Sequence, residues 1–387
     1  MKSISGYKRK NGKFGVRNHL LILPTSVCAS ETAVKISQLV PGSVPLPHQH
    51  GCCHVGVDYE QVLRTLIGFG KNPNVGAVLI IALGCEGISP DIVKNEIEKS
   101  LKPVEQLVIQ EQGDTLKTID AGVKIAQKMM LEISTQKKEI FPIENLILAL
   151  ECGGSDPTSG IAANPAVGVT SDLLLTDGGR TILSETTELI GAEHVLIKKA
   201  ANKQISQRIL SMVETVEKRA KEMHVDLRGT QPTPGNIAGG LTTIEEKSLG
   251  CIHKAGNSPI IGILEYAEEI PDKKGLYFMD TPGQDIESIT GMLAGGAQIV
   301  IFTTGRGTPT GSPIAPIIKV TGNSMTYQKM IANIDINAGG IIDENKTITE
   351  IGTQIYAKMI DVCNGELTKA ELLGHKEFGI YRIGYTF

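Results

Sequence analysis

The stretch Ala77-Val78-Leu79-Ile80-Ile81-Ala82-Leu83-Gly84-Cys85-Glu86 is an apolar run that stops at a glycine, a cysteine and a glutamate. Three further strand-like runs also end in cysteine, at 20–28, 44–53 and 146–152. Apolar runs of this length, separated by helical segments, are typical of buried parallel strands. In an open parallel sheet, ligands bind just beyond the carboxyl ends of the strands. The four runs therefore predict cysteines that meet along one edge of a sheet.

Helical segments alternate with these runs, and the βαβα order predicts a doubly wound parallel sheet for residues 1–136. The polar segment 134–139 is the predicted linker, and residues 140–387 are predicted to form a larger C-terminal α/β domain. The fold class is therefore α/β. The predicted helices lie at 31–39, 59–69, 90–101, 115–133 and 202–224.

Composition narrows the class of protein. The chain has 387 residues and a net charge of −4, without a basic run, which argues against binding to nucleic acid or an anionic membrane. The N-terminus lacks the apolar region of a signal peptide, and no apolar stretch reaches the roughly 18 residues of a membrane helix. We expect a cytoplasmic protein. Its seven cysteines are then thiols, metal ligands or catalytic groups rather than a disulfide scaffold.

Cys28, Cys52 and Cys85 are the predicted metal ligands, because thiolate is a soft ligand suited to iron or zinc. A lone buried cysteine is most often a small core residue. Three at predicted strand ends, beside glycine or a charged group, favour a metal or iron–sulfur site. Cys53 competes with Cys52, and only one of these neighbours is expected to point into the site. A structural zinc site is not expected, because no Cys-x-x-Cys pair occurs.

Three histidines, His48, His50 and His54, crowd the same predicted strand end. Imidazole serves as a metal ligand or as an acid–base group near neutral pH. A lone histidine is more often a surface residue, but three that flank a cysteine favour a functional role for at least one.

The turn at 152–156, Cys-Gly-Gly-Ser-Asp, is a candidate for substrate binding. Its glycines expose backbone N–H groups that can cradle a carboxylate. The alternative is an N-capped helix start. Arg306, between two glycines, can bind a carboxylate through two hydrogen bonds, although a loop arginine is usually only solvated. The segment 245–254 packs acids, lysines, a histidine and a cysteine together, and its composition alone is that of a solvated amphipathic helix.

At these residues the chain resembles the altronate/galactarate dehydratase family, which includes the large subunit of sulfolactate sulfo-lyase. The matching stretches include Gly6-Tyr7-Lys8-Arg9, Gly15-Val16-Arg17-Asn18, Leu83-Gly84-Cys85-Glu86, Cys152-Gly153-Gly154-Ser155-Asp156, Ala163-Asn164-Pro165, Glu185-Thr186-Thr187-Glu188, Glu245-Glu246-Lys247-Ser248 and Gly305-Arg306-Gly307-Thr308. They run nearly from end to end of the chain.

The resemblance implies lyase chemistry on 2-hydroxy acids. Dehydratases of the family remove water from sugar acids to give 2-keto-3-deoxy products, and the sulfo-lyases release sulfite from sulfolactate and leave pyruvate. The implied cofactor is Fe²⁺ or an iron–sulfur cluster, with Mn²⁺ as an alternative. Single-chain members carry a small domain ahead of the Gly6-Tyr7 region. This chain resembles the large half of a split enzyme, with a separate small SAF-like subunit as partner and an oligomeric assembly.

Such a reaction needs a base for a poorly acidic α-proton and an electrophile for the developing enediolate. On this interpretation Cys28, Cys52 and Cys85 hold the iron, and Cys152 is a reserve ligand. The other candidates are Lys247 or His48 as base, Glu86 and His253 as further catalytic groups, and Gly153, Gly154, Ser155, Asp156, Asn164, Arg306 and Thr308 for substrate binding. The site is expected between the two domains. The alternatives are a sulfo-lyase and a non-catalytic subunit that binds sugar acids.

Overall fold

The computed structural model describes residues 2–384. The strands are β1 (Ser3–Lys8), β2 (Phe14–Gly15), β3 (His19–Pro24), β4 (Ser43–Pro45), β5 (Val75–Ala82), β6 (Val104–Val108), β7 (Glu139–Pro142), β8 (Ile147–Cys152), β9 (Arg180–Leu183), β10 (Ile260–Leu264), β11 (Gly275–Met279), β12 (Ile299–Thr303), β13 (Ile317–Thr321) and β14 (Ile336–Asn337). The α-helices are α1 (Val27–Leu39), α2 (Gly56–Lys71), α3 (Pro90–Glu98), α4 (Ile109–Gln112), α5 (Thr115–Ser134), α6 (Asn164–Thr176), α7 (Glu193–Leu196), α8 (Lys203–Glu222), α9 (Leu227–Thr230), α10 (Pro234–Ala238), α11 (Ile244–Cys251), α12 (Asp285–Ala294), α13 (Ser324–Lys329), α14 (Gly340–Asp343), α15 (Ile348–Asn364) and α16 (Lys369–Leu373).

The first half forms a parallel sheet with strand order β4-β3-β5-β6. Alternate side chains of a strand point to opposite faces. Leu20 and Ile22 of β3 therefore pack against α1 and α5, whereas Leu21 and Leu23 pack against the face that carries α2 and α3. The predicted doubly wound sheet is confirmed.

The second half forms a seven-stranded parallel sheet with order β10-β11-β9-β8-β12-β13-β14. Helices α6 and α15 cover one face and α12 the other. Helix α2 packs on α12, and Val62, Phe69, Met292 and Phe302 lie in one buried cluster. A Cβ at Gly68 would lie 2.4 Å from the carbonyl oxygen of Ala294, so only glycine permits this close approach. The α/β fold class is confirmed, and one core joins the two parallel sheets.

A small antiparallel sheet has the order β2-β1-β7. In it the N-terminal strand β1 pairs with β7, the strand that leads into the second half. Arg17 extends this link because its Nε donates to Glu371 Oε1 at 2.6 Å and its Nη1 to the carbonyl oxygen of Val362. The division at 136/140 stays a proposal. The described helices include none that is long and apolar enough to cross a membrane.

Two of the predicted strand ends are wrong. Strand β3 stops at Pro24, and Ser26 takes the extended N-cap conformation, so Cys28 is the second residue of α1. Strand β4 stops at Pro45, and Cys52 lies in the loop that follows. Proline lacks the N–H that a ladder requires, which explains why the run with Pro45 and Pro47 is short. Cys152 is the last residue of β8, as predicted.

Candidate active site

Acids, thiols and lysines form a buried group at the carboxyl ends of β8 and β9. Its members are Glu151 and Cys152 at the end of β8, Glu185 and Glu188 after β9, Lys247 and Cys251 of α11, and Lys254 in the turn after α11. All are buried except Lys247, whose side chain is 15% exposed. The parallel sheet thus collects charged groups from three chain segments at its functional edge.

The thiols of Cys152 and Cys251 lie next to the carboxylates of Glu185 and Glu188. The Sγ atoms of Cys152 and Cys251 are 3.6 Å apart, and Cys152 donates to Glu188 Oε2 at 2.8 Å. One donor atom from each of Cys152, Glu185, Glu188 and Cys251 lies within 4.8 Å of the other three. A hydrogen bond with Cys251 and burial raise the pKa of the Cys152 thiol well above its ordinary value. Four possible metal-ligand atoms therefore converge here.

Glu185 occupies a strained and incompletely satisfied position. Its φ of 71° lies in the left-handed region, which non-glycine residues rarely adopt. Its Oε1 is buried and has no hydrogen-bond partner among the described residues, while Lys254 Nζ lies 3.3 Å from Oε2. Burial and the charge of Glu188 raise the pKa of Glu185 to about 7. Strain and an unpartnered polar atom are features of functional positions.

Lys247 and Glu188 form an ion pair, with 3.0 Å between Nζ and Oε1. Burial alone raises the pKa of Glu188, but the charges of Lys247 and Lys254 outweigh it and leave the pKa at about 2. Glu188 in turn raises the pKa of Lys247. Lys247 is therefore an ammonium group at neutral pH.

Glu151 extends the group toward α12. Its Oε2 accepts a hydrogen bond from Ser288 at 2.6 Å, and burial raises its pKa well above the ordinary value. Asp285 lies close enough to Gly153 that a Cβ at this glycine would be 2.0 Å from Oδ2. The predicted turn at 152–156 is thus packed against the Asp285 carboxylate, and a side chain at position 153 would displace that carboxylate.

A cavity of about 280 Å³, lined by both polar and apolar side chains, lies beside this group. Five of the predicted site residues line it: Ser155, Asp156, Asn164, Lys247 and His253. Lys247 connects the cavity to the buried group, because its side chain lines the one while its ammonium contacts the other. Burial lowers the pKa of His253, which favours the neutral imidazole.

Hydrogen bonds fix the cavity wall. Asp156 Oδ1 accepts from the Ser159 N–H at 3.0 Å, and Asn323 Nδ2 donates to Oδ2 at 3.2 Å. Asn164 accepts from Thr303 Oγ1 at 2.6 Å and donates to the Gly250 carbonyl oxygen at 3.0 Å. These bonds engage the polar atoms of both side chains, so we assign Asp156 and Asn164 to positioning of the wall.

The other predicted substrate-binding residues lie outside this lining. The Arg306 side chain donates from Nη1 to the Gly235 carbonyl oxygen at 2.5 Å. The backbone N–H of Arg306 donates to the Gly154 carbonyl oxygen at 2.9 Å. Thr308 Oγ1 lies 2.8 Å from Thr310 Oγ1. Arg306 thus ties its own loop to the turn at 152–156.

The predicted metal ligands of the first half lie on three chain segments that touch: Cys28 in the first turn of α1, and Cys52 and Cys85 in loops. The Val27 N–H donates to the His50 carbonyl oxygen at 2.8 Å, and the Gly87 N–H donates to that of Gly51 at 2.9 Å. Cys28, Cys52 and Cys85 are all exposed free thiols. They are not among the described groups whose ligand atoms lie within 4.8 Å of one another. The three segments meet, but the thiols do not converge as the buried group does.

His48 and Glu86 are engaged in hydrogen bonds that hold these loops. His48 Nε2 lies 2.9 Å from the Pro24 carbonyl oxygen, and Nδ1 accepts from the His50 N–H at 3.2 Å. Burial lowers the pKa of His48 to about 4. Glu86 accepts from Thr25 Oγ1 at 2.5 Å and from the Leu83 N–H at 2.9 Å.

Sequence reasoning gave no role to Glu151, Glu185, Glu188 or Lys254. The signal was available, because Glu185-Thr186-Thr187-Glu188 follows the strand at 180–183 directly. Acids at that place are aimed at the same sheet edge as Cys152.

Removing the Lys254 ammonium is expected to lower the free energy of unfolding by about 3–5 kcal/mol, because it leaves the Glu185 carboxylate buried and unpaired. Urea unfolding of Lys254→Met, followed by circular dichroism, measures the effect. The exposed pair of Lys274 and Glu144 supplies a control, and Lys274→Met should change stability by less than about 1 kcal/mol. Equal losses in the two variants would contradict the assignment of Lys254 to a buried ion pair.

A parallel α/β fold with buried carboxyl, thiol and ammonium groups beside a cavity is typical of an enzyme. Residues 143–386 match the sequence family "D-galactarate/Altronate dehydratase, C-terminal", and residues 6–134 match "D-galactarate dehydratase/Altronate hydrolase, second domain". The chain belongs to the D-galactarate/altronate dehydratase family. It is an enzyme of the lyase class, so a non-catalytic binding subunit is set aside.

Relatives cover the whole chain. An altronate dehydratase of Bacillus subtilis is 36% identical over 396 residues, which span 100% of this chain and 78% of the relative. The beta subunit of a (2R)-sulfolactate sulfo-lyase from Chromohalobacter salexigens is 37% identical over 98% of this chain and 97% of the relative. An altronate dehydratase of Escherichia coli is 33% identical over 98% of this chain and 78% of the relative.

Proposed function

We propose that the chain is the large subunit of a metal-dependent hydro-lyase that converts a sugar acid, such as altronate or galactarate, to a 2-keto-3-deoxy acid. The observation that carries the proposal is Lys247, whose side chain lines the cavity and whose ammonium group is held by buried Glu188. Family membership supplies the reaction class. Formation of 2-keto-3-deoxy acid from altronate and galactarate by the purified protein, with a small partner subunit present, tests the function.

Lys247 would bind the carboxylate of the substrate. Negative charge grows on this carboxylate when the α-proton leaves, and a preorganised ammonium group stabilises it. The ion pair with Glu188 keeps Lys247 protonated and therefore makes it an electrophile rather than a base. Ser155, on the same cavity wall, can hydrogen-bond a substrate hydroxyl.

His253 is our candidate for the base. Its pKa is lowered by burial, so at neutral pH it has a free lone pair with which to accept the proton from C2. The imidazolium so formed can give this proton to the hydroxyl on C3, which departs as water. The resulting enol then becomes the 2-keto product. His253 thus moves one proton from C2 to the departing C3 hydroxyl, so no second acid is needed.

Two thiol-bearing donor sets are available for a metal. In the buried set, two thiolates and two carboxylates carry four negative charges, which Lys247, Lys254 and one divalent cation would balance. The partnerless Oε1 of Glu185 also fits a ligand role. Thiolate donors suit iron or zinc, and carboxylate donors suit harder cations such as manganese. When bound, the ion supplies a Lewis acid for the substrate oxygens.

The second set is Cys28, Cys52 and Cys85. Separate exposed thiols on three touching segments suit a [4Fe–4S] cluster better than one ion, because each thiolate of such a cluster bonds a different iron. We keep this set as a proposal for the iron–sulfur form of the cofactor.

Metal analysis of anaerobically purified variants distinguishes the two sets. Wild-type protein is expected to contain iron or manganese. If the buried set holds the metal, Cys152→Ser/Cys251→Ser loses it and Cys28→Ser/Cys52→Ser/Cys85→Ser retains it; the cluster proposal predicts the reverse. Cys363→Ser, a substitution of a buried thiol outside both sets, is the control and should retain the metal. Full metal content in both sets of variants would contradict both assignments.

A sulfolactate sulfo-lyase is the second candidate function. It is favoured by the beta-subunit relative, which this chain covers over 97% of its length. The same relative supports our proposal of a separate small subunit as partner. Release of sulfite and pyruvate from sulfolactate, without keto-acid formation from altronate or galactarate, would establish this second function.

A further inference from the structure

A second cavity, of about 310 Å³, lies between α2, α8 and the C-terminal segment. Arg64 of α2 and Arg208 and Arg219 of α8 line it, together with Tyr266 and Tyr381. Within residues 2–384 it shares no lining residue with the first cavity. It is therefore a separate space with its own chemistry.

The charge of this cavity is positive. Of its three guanidinium groups, that of Arg208 is paired with Glu265. Arg64 Nε donates to the Tyr266 carbonyl oxygen at 2.7 Å, and neither Arg64 nor Arg219 forms an ion pair with a described carboxylate. Two guanidinium groups thus keep nitrogen donors for another acceptor.

Asp280, the second acid in the lining, carries at most one negative charge and so does not balance the two positive charges of Arg64 and Arg219. Asp280 Oδ1 accepts a hydrogen bond from Thr186 Oγ1 at 2.5 Å, and burial raises the pKa of Asp280. The rings of Tyr266 and Tyr381 lie 5.7 Å apart and form an apolar wall beside the arginines. Guanidinium groups beside such a wall suit an anion with several oxygens on a small carbon skeleton.

We infer that this cavity is a second binding site, specific for a small polyanion that carries phosphate or carboxylate groups, which Arg64 and Arg219 bind. It lies next to the first site, because Thr281 lines the cavity and its Oγ1 accepts the Glu185 N–H at 2.8 Å. The inference concerns a ligand other than the substrate of the proposed reaction.

Isothermal titration of the full chain with inorganic phosphate and with succinate tests this inference. Wild-type protein is expected to bind at least one of the two anions, and Arg219→Gln to weaken that binding about tenfold or more. Arg64→Gln should act in the same direction. Lys221→Gln removes the same charge from the last turn of α8 outside the cavity and should bind as wild type does.

The two anions distinguish the sources of the ligand. Tighter binding of phosphate assigns a phosphate ester or free phosphate, and tighter binding of succinate assigns a dicarboxylate. Lys247→Gln should leave this binding unchanged, because Lys247 belongs to the first cavity. The inference is overturned if wild-type protein binds neither anion, if Arg64→Gln and Arg219→Gln bind as wild type does, or if Lys247→Gln abolishes the binding.

Discussion

Replacing Lys247 by methionine is expected to lower kcat for 2-keto-3-deoxy acid formation by about 10²–10³-fold, the loss typical of removing one preorganised oxyanion partner. Lys247 lines the first cavity and stays charged because Glu188 lies 3.0 Å away. Methionine keeps the length and apolar stem of the side chain. The loss therefore reports the ammonium group, and steady-state kinetics with the small subunit present measures it.

The single substitution also leaves Glu188 buried and unpaired, which can lower stability as well as activity. The double variant Lys247→Met/Glu188→Gln removes both charges and separates the two effects. Lys198→Met, which removes an exposed ammonium group outside the cavity, is the matched control and should keep wild-type turnover. Normal kcat in a folded double variant would rule out Lys247 as the electrophile.

Replacing His253 by glutamine is expected to lower kcat/KM by about 10²–10⁴-fold, because general acid–base catalysis contributes that much. Burial lowers the pKa of His253 from its ordinary value of 6.5, and the active form is the neutral imidazole. Wild-type kcat/KM should therefore stay constant near neutral pH and fall only below pH 6.5, as the imidazole takes up a proton. A pH–rate profile measures both features.

In His253→Gln the residual activity should lack this acidic limb. His224→Gln, a substitution outside the first cavity, serves as the control and should keep both rate and profile. An unchanged acidic limb in His253→Gln would mean that another group is the base.

Hydrophobic patterning predicted the architecture well, because buried parallel strands are recognisable as continuous apolar runs. Strand β5 is buried along its whole length, and the predicted run at 77–83 nearly coincides with it. For the run at 20–28 the predicted strand end was wrong, because the strand stops at Pro24 and Ser26 is the N-cap of a helix. Apolar character continues through both elements, so periodicity alone does not show the boundary.

The candidate site was predictable only in part. Composition alone favoured a solvated helix for the segment that holds Lys247 and His253. Both residues became candidates only with the family resemblance, and both line the first cavity. The burial of Lys254 was not foreseeable, because a lysine in a mixed-charge segment is usually solvated. Its position depends on Glu185, which lies 69 positions earlier in the chain. Ion pairs between such distant positions depend on the order of the strands in the sheet, which the local sequence around each residue does not reveal.

The contact between α2 and α12 at Gly68 has a consequence for how the enzyme admits its substrate. Helices that touch backbone to backbone inside a shared core cannot separate as a hinge opens without exposing apolar surface to water. We therefore expect the two halves to stay together when substrate enters the cavity. For the same reason the two halves are not interchangeable parts: a chimera with the first 136 residues of a relative would need a matching small residue at this contact before its two halves could assemble.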